Sequence, residues 1–569
     1  MRRIPIRTLS TAVVLTLAVA ACGTNKSSST SSGPATTVAS STCSSGTSGG
    51  VPITYNQAKD GGCTGKFTWS KYCDTTTGRL KVPGEGPECV PAFSGDNGGA
   101  TSPGITATTI KVARYVGKSD PATDAFLNSI GARDDDAAVT KTYNAFIDLY
   151  NTMAEFYGRK IQVVTLHGTG TSTDAVAARA DALKAKEMGV FAVIGGPSQT
   201  RAFSEELARQ GIIDIGGGTA TGDFIQKHSP YVWGIGPSPE QTAQRTTEFI
   251  QKQLVGKKAQ YAGDALKNKT RSFVLLTYDD AESNFKQPWD NWLKDLQSKG
   301  IPVAPQRIVF TLDLARAAED TQVVVQKLRD VNATTVIFTG DPIMPSYFTK
   351  EMTKQGYFPE WLLSGTVYAD TTVLARGYDP QQWKHTMGIS LVPVRTPNAT
   401  SGSTVLYKWW TGESDIPAKN TGGPILNNVS ILIAGIHYAG AKLTPETFRA
   451  GLFARPLPKR KSLDIRATVT WGRSDVWPNP DYAGLDDVSI IWWDPTAKGE
   501  DETGTMGTGE YRYIDGGARF LPGKIPTDPL PLFDPTKAVT YYSDQPDAPA
   551  GTQKVPDYFK IDPTKYSRP

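Results

Sequence analysis

The stretch Val190–Asp223, reading VFAVIGGPSQTRAFSEELARQGIIDIGGGTATGD, groups hydroxyls, amides and glycines where they could hold a small anion. Ser198 and Gln199 follow the pair Gly195 and Gly196, while Thr219, Ala220 and Thr221 follow three glycines at 216–218. Unpaired N–H groups at a helix start carry partial positive charge, so such loops suit a carboxylate. The neighbouring residues supply the scaffold. Phe191 to Ile194 is a short apolar run of the kind a buried parallel strand needs, broken at glycines that turn without a Cβ clash. Ser198 is a suitable helix cap, Ala202, Phe203 and Leu207 recur at helical spacing, and Gly211 supplies the stop. Ile212 to Ile215 then makes a second strand. Two loops are therefore expected side by side at the C-terminal edge of one sheet, where open α/β sheets bind ligands.

Catalytic chemistry has no comparable support. The chain has no HExxH helix and no GxxxxGK[ST] loop, and the run GTGTST at Gly168 lacks the last glycine of a dinucleotide fingerprint. The four histidines, His167, His228, His385 and His437, are scattered without metal-ligand spacing. No enzyme, metal or cofactor is expected. The tryptophan pairs Trp409–Trp410 and Trp492–Trp493 could form a carbohydrate platform, but paired aromatics of this kind are expected in the core.

The 569 residues are 39% hydrophobic and 20% charged, an ordinary globular composition with room for two or three domains. Arg2, Arg3 and Arg7 precede an apolar run, Leu9 to Ala21, that is too short to span a bilayer and ends in Val19, Ala20, Ala21 and Cys22. This is the pattern of a lipoprotein signal, with residues 1–21 removed and Cys22 taking the lipid. Removing three of the 60 basic residues leaves the rest, against 56 acidic ones, within one charge of neutral, so nucleic acid is not an expected partner. Residues 22–50 are rich in Ser, Thr and Gly and read as a solvated tether. Cys43, Cys63, Cys73 and Cys89 are an even set outside the cytoplasm, without a CxxC pair, and predict two disulfides in a stapled extension over 51–104. Three pairings are open.

From Thr109 strands and helices alternate. Strands are expected at Ile110–Val116 and Ile161–Leu166, with helices at Ala137–Tyr157 and at Asp174–Met188, the latter with Val176, Ala180 and Leu183 on one face. The same grammar resumes after Pro237. Strands are expected at Phe273–Thr277, Arg307–Leu312, Thr335–Thr339 and a last one at Trp361–Leu363. Helices are expected at Ser283–Gln297, Ala315–Val331 and Pro345–Gly356. Later come a helix at Asn427–Ala441, an antiparallel pair at Ala467–Trp471 and Val488–Trp493, and an irregular tail over 498–569. The fold class is α/β, with two doubly wound parallel-sheet lobes.

Three runs in order, VIGGPSQT, GIIDIGGGTATGDF and SPYVWGIGPSPEQTAQ, carry a family likeness. The chain resembles type I periplasmic solute-binding proteins of the branched-chain amino acid group, over roughly 105–495. The block CDTTTGRLKVPGEGPECVPAF resembles the leader of actinobacterial lipoprotein members. The resemblance implies a flytrap with three crossovers, a first lobe over 105–240 and about 371–455, and a second over 241–370 and about 456–497. It implies a small polar solute (an amino acid, amide or short peptide-like molecule) delivered to an ABC permease. Ser198, Gln199, Thr219, Ala220 and Thr221 match the first-lobe ligand loops. In the second lobe the resemblance points to Tyr278, Ser283 or Asn284, Asp341 and Thr366, with Asp280 or Asp341 facing a ligand ammonium. A cell-surface receptor or scaffold that keeps this fold and docks to a protein partner is the alternative. The lipid anchor is directly testable: Cys22→Ala is expected to move the protein from the membrane fraction to the soluble one, and retention after a high-salt wash would place the anchor elsewhere.

Overall fold

The computed structural model describes residues 43–569 apart from 45, 49, 85, 219, 281, 366–367, 458–463, 473–474 and 550–551. The leader, Cys22 and the tether to residue 42 lie outside the described residues, as do Thr219 and Thr366. No helix among the described residues is long and apolar enough to cross a membrane.

Five parallel strands form the first sheet: β1 Thr109–Val116, β2 Lys160–His167, β3 Ala192–Ile194, β4 Ile213–Ile215 and β5 Val232–Trp233, in the order β2-β1-β3-β4-β5. Both faces are covered, because successive residues enter different cores. Val112, Ala192 and Ile194 pack with the helices Asp136–Met153 and Gly422–His437, while Ala113 and Val193 pack with Ala175–Glu187 and Ala202–Arg209. This is why the strands are apolar runs without polar alternation.

Eight strands form the second sheet: β6 Phe273–Tyr278, β7 Ile308–Phe310, β8 Thr335–Thr339, β9 Glu360–Ser364, β10 Thr386–Ser390, β11 Ser489–Glu500, β12 Met506–Ile514 and β13 Ala538–Val539. Their order is β7-β6-β8-β9-β10-β11-β12-β13, parallel as far as β10 and antiparallel beyond it. Val274, Leu276, Val336 and Phe338 face one core, Phe273, Leu275 and Ile337 the other. The chain leaves the first sheet after Trp233 and returns after Ser390 to add the helices Gly402–Thr411, Gly422–His437 and Pro445–Phe453 to the first core. It crosses again ahead of Ser489. This is the type I flytrap topology with its three crossings.

Four expectations change. Trp361–Leu363 is not the last strand of its lobe, since β10 to β13 extend the sheet. Ser489–Glu500 pairs with β10 and β12, and a single bridge, Val469 to Leu485, replaces the expected ladder with Ala467–Trp471. Residues past Lys498 begin with the regular strand β12, whose two glycines and charges disguise it; the irregular path starts after Ile514. On the helix Ala175–Glu187 the Val176–Ala180–Leu183 face is exposed, and Ala178, Asp181, Ala182 and Ala185 are buried. Small alanines let that helix pack close, and Asp181 is tolerated inside because its carboxylate accepts from Thr169 N, Thr169 Oγ1 and Tyr115 OH.

The extension is stapled by Cys43–Cys63 and Cys73–Cys89. It is keyed into the first lobe by polar contacts: Tyr438 OH accepts from Glu88 N at 2.8 Å, and His437 bridges the Glu155 N–H to the Glu88 carbonyl. Fully buried, the His437 imidazole is pushed down to about 4, so it stays neutral and its two ring nitrogens take one acceptor and one donor role. Trp492 and Trp493 are buried, while Trp409 and Trp410 pack half-buried against the first core, as the core reading expects.

A buried ion pair spans the second lobe. Arg271 donates from Nε and Nη2 to the two oxygens of Glu360 at 2.8 and 2.9 Å, and both side chains are at most 2% exposed. Glu360 also accepts from Thr335 Oγ1 and Tyr261 N. Arg271→Met strands a buried carboxylate and is expected to cost about 3–5 kcal/mol in urea unfolding, whereas Arg271→Met with Glu360→Met is expected to recover most of that loss.

Candidate functional site

At the C-terminal edge of the first sheet the two glycine loops touch. A Cβ on Gly196 would lie 3.0 Å from the Gly217 Cα and 2.9 Å from the Phe203 ring, so both glycines are needed for this approach. Gly195 and Gly216 turn at positive φ, 76° and 71°. Ser198 does not cap the following helix. That helix starts at Ala202 with Arg201 in the cap position, and the Thr200 hydroxyl accepts from Ala202 N. Ser198 is therefore exposed and free of the helix, because the loop spends three more residues before the first turn. Gln199 N donates to Ser172 O, and its side-chain Oε1 is buried without a partner among the described residues. Thr221 caps the helix Gly222–Lys227 by accepting from Phe224 N at 3.3 Å, with Ala220 buried beside it. The Gly222 N–H at that helix start donates to Glu240 Oε2 at 3.0 Å, so a carboxylate of the chain itself already sits there.

Beneath these loops lies a residue the sequence reading did not single out. Asp214, in the middle of β4, is 1% exposed, and a Cβ on Gly217 would come within 2.3 Å of its Oδ1. The Ser204 hydroxyl and Gly217 N–H face it but do not reach full hydrogen-bond geometry. Burial pushes its carboxyl up to about 7. The available signal was an acid inside the apolar run Ile212, Ile213, Asp214, Ile215.

In the second lobe the loop after β6 is closed by its own acids. Asp279 Oδ1 accepts from Phe285 N and Asp280 N, and Asp280 accepts from Asn284 N at 2.7 Å and Asn284 Nδ2 at 2.6 Å. Ser283 sits at φ 57° in this turn. Asp341, after β8, accepts at Oδ1 from Ile343 N and Met344 N, while its Oδ2 is buried without a partner. Burial raises its carboxyl to about 6. Tyr278 lies between the two loops. Burial first, and then Asp280, Asp341 and Asp279, hold its phenol well above the ordinary range. Tyr368, after β9, is half-exposed at φ 60°, an uncommon conformation for a bulky residue.

The lobes meet across these edges. Arg179 pairs with Glu282 at 3.2 Å, and Phe126, Ile130 and Ala132, which follow β1, pack against the second-lobe core. A cavity of about 220 Å³ is lined from one side by Arg201, Glu205, Thr221 and Asp223 and from the other by Asn284, Gln287 and Asn291. Of the sequence-derived residues, Thr221 and Asn284 line it; Ser198, Gln199, Tyr278, Ser283 and Asp341 sit on the loops without lining it. Arg201, Gln287 and Asn291 were not foreseen. Among the described residues no group of three His, Cys, Asp or Glu is placed to hold a metal.

Asp214 makes stability depend on pH. Its folded value lies above the unfolded one, so between roughly pH 4 and 7 the folded chain holds a proton that the unfolded chain has released. This contribution is complete at acid pH and is lost as pH rises through about 7. Asp214→Asn is expected to gain about 1–3 kcal/mol of stability relative to the wild type between pH 4 and pH 8, measured by urea unfolding at both values.

The model of the family described as periplasmic binding protein matches residues 131–475, more than half of the chain. No curated protein matches. Among solved structures, an ABC transporter substrate-binding protein of Aeropyrum pernix aligns with TM-score 0.49 and 15% identity, over 74% of this chain and 98% of its own. The closed leucine-, isoleucine-, valine-, threonine- and alanine-binding protein of Brucella ovis aligns with TM-score 0.48 and 13% identity, over 74% and 97%. A solute-binding protein of Rhodopseudomonas palustris BisB5 in complex with 3,4-dihydroxybenzoic acid aligns with TM-score 0.45 and 14% identity, over 74% and 99%. With two parallel-sheet lobes joined by three crossings and a family match over most of both, the chain belongs to the periplasmic binding protein family, in its type I form.

Proposed function

We propose that this protein is an extracytoplasmic, lipid-anchored receptor that takes up a small polar solute between its lobes and delivers it to an ABC permease. The observation that carries the reading is the cavity between the sheet edges. Cationic Arg201 and Lys227, anionic Glu205, Asp223 and Glu240, and the second-lobe amides of Asn284, Gln287 and Asn291 share one space. Opposite charges beside amides suit a zwitterion, an amide or a peptide-like solute. We assign the first lobe to 105–240 and about 371–455, and the second to 241–370 and about 456–497, with β12 continuing the second sheet.

Closure would then add to this cavity the loops that stand back from it. Ser198 offers a free hydroxyl, Gln199 a partnerless amide oxygen and Asp341 a partnerless carboxylate oxygen. These fit the anionic and cationic ends of one zwitterionic molecule. Buried groups without partners are costly, and a ligand that supplies the missing partner recovers that cost.

A thermal-shift screen of amino acids, amides, short peptides, polyamines and sugars should return a solute that raises the unfolding midpoint saturably. In calorimetry with that solute, Ser198→Ala and Arg201→Ala are each expected to weaken binding by about ten- to a hundredfold. Unchanged affinity in the double variant would remove the solute from this edge of the lobe.

A further inference from the structure

A second cavity, of about 150 Å³, lies between the helix Gly222–Lys227, the start of the helix Pro239–Phe249 and the loop Trp477–Ala483. Its walls carry three carboxylates, Asp223, Glu240 and Asp481, and no Lys, Arg or His among the described residues. Trp477 and Tyr482, both nearly buried, supply aromatic surface. Among the described residues its lining is rich in acceptors and includes two aromatic side chains.

Asp481 is the informative residue. It is 5% exposed, and its Oδ1 accepts from Gln241 Nε2 and Ala483 N, each at 2.9 Å. Its Oδ2 is buried and has no hydrogen-bond partner among the described residues. The charges behind the cavity leave it short. Arg519 is committed to Asp487 at 2.6 Å. Arg245 lies over the Trp477 ring at 5.4 Å and spends Nε and Nη1 on the carbonyls of Gln241 and Leu485; its Nη2 makes no hydrogen bond among the described residues. Asp486 takes donors on both oxygens, from Thr470 Oγ1 and Trp477 Nε1. Two guanidiniums therefore stand among three carboxylates, Asp481, Asp486 and Asp487, and of these carboxylates Asp481 lines the cavity.

We propose that this cavity is a binding site for a small organic cation, an alkylammonium or quaternary ammonium ion, held on Asp481 against Trp477 and Tyr482. A carboxylate supplies the counter-charge, and aromatic faces attract ammonium groups where water is excluded. The site lies at the hinge: Tyr482 O accepts from Gly234 N, so the bound ion touches one of the two paired crossing segments. It also shares Asp223 and Glu240 with the cavity between the lobes. A cation bound here would couple to solute binding by the difference in its affinity for the open and closed forms.

The test uses the full mature chain with choline chloride and ethylammonium chloride as probes. Sodium chloride controls for ionic strength, and 3,3-dimethylbutan-1-ol is the uncharged isostere of choline. At about ten times the dissociation constant, at least one cation should raise the unfolding midpoint by about 2 °C, and the alcohol should not. Asp481→Asn should weaken the cation at least tenfold in calorimetry. Asp223→Asn, an exposed rim change that the fold tolerates, should weaken it about threefold and serves if the first variant does not fold. Silence from both cations, an equal response to the alcohol, or full affinity in Asp481→Asn or, failing its folding, in Asp223→Asn would overturn the proposal.

Discussion

The pairing of two crossing segments is the constraint on which the molecule depends. Gly234 N donates to Tyr482 O, Gly484 N to Gly234 O and Leu485 N to Ile235 O, so the first and last passages between lobes run bonded to each other. Gly484 is needed there, because a Cβ would lie 2.9 Å from Trp471 and 3.0 Å from Ile235. The helix that follows the first crossing is pinned to the last one through Arg245 to Leu485 O and Gln241 to Asp481. Each lobe keeps its own cores on either side of this strap. Bending at the strap can therefore change the angle between the lobes without repacking the centre of either, the Phe126, Ile130 and Ala132 contacts at the second-lobe edge being the packing that must shift.

Buried polar groups fix the parts that periodicity leaves loose. The hairpin of β11 and β12 is held to the second lobe by Glu510, fully buried, which accepts from both Arg376 and Arg395. The stapled extension is held to the first lobe by His437, by Tyr438 and by the Tyr157 carbonyl, which accepts from Asn97 Nδ2. Such contacts add little net stability, since desolvation offsets most of the attraction. They do exclude other registers, because any shift would leave a charge or a carbonyl buried without a partner.

Buried polar atoms without a partner among the described residues occur at the facing sheet edges and at the hinge, and also at Thr321, Thr353, Thr386, Asn420 and Trp492. Gln199 Oε1, Asp341 Oδ2, Asp214 and Asp481 Oδ2 are all buried acceptors short of donors, and all lie on or beneath loops that end strands or crossings. Asp214 shows the cost of this arrangement: pressed against Gly217 under the two glycine loops, it holds its proton to near neutrality. A site kept ready for a ligand is less stable empty than a fully paired core would be.

Local pattern alone determined much of this chain. The apolar runs of β1 to β4 and β6 to β9, the turns at Gly195 and Gly216, and the even cysteine count were legible, because strand period, glycine conformation and redox context act over a few residues. Tertiary structure decided what sequence-distant neighbours control. It chose Cys43–Cys63 and Cys73–Cys89 among three pairings, turned the alanine face of Ala175–Glu187 inward, and moved the partner of Ser489–Glu500 from Ala467–Trp471 to Thr386–Ser390 and Met506–Ile514. It also set Arg201 opposite Gln287 and Asn291. Those side chains belong to separate lobes, and the bonded crossings at Gly234 and Tyr482, with contacts such as Arg179–Glu282, bring the two edges face to face.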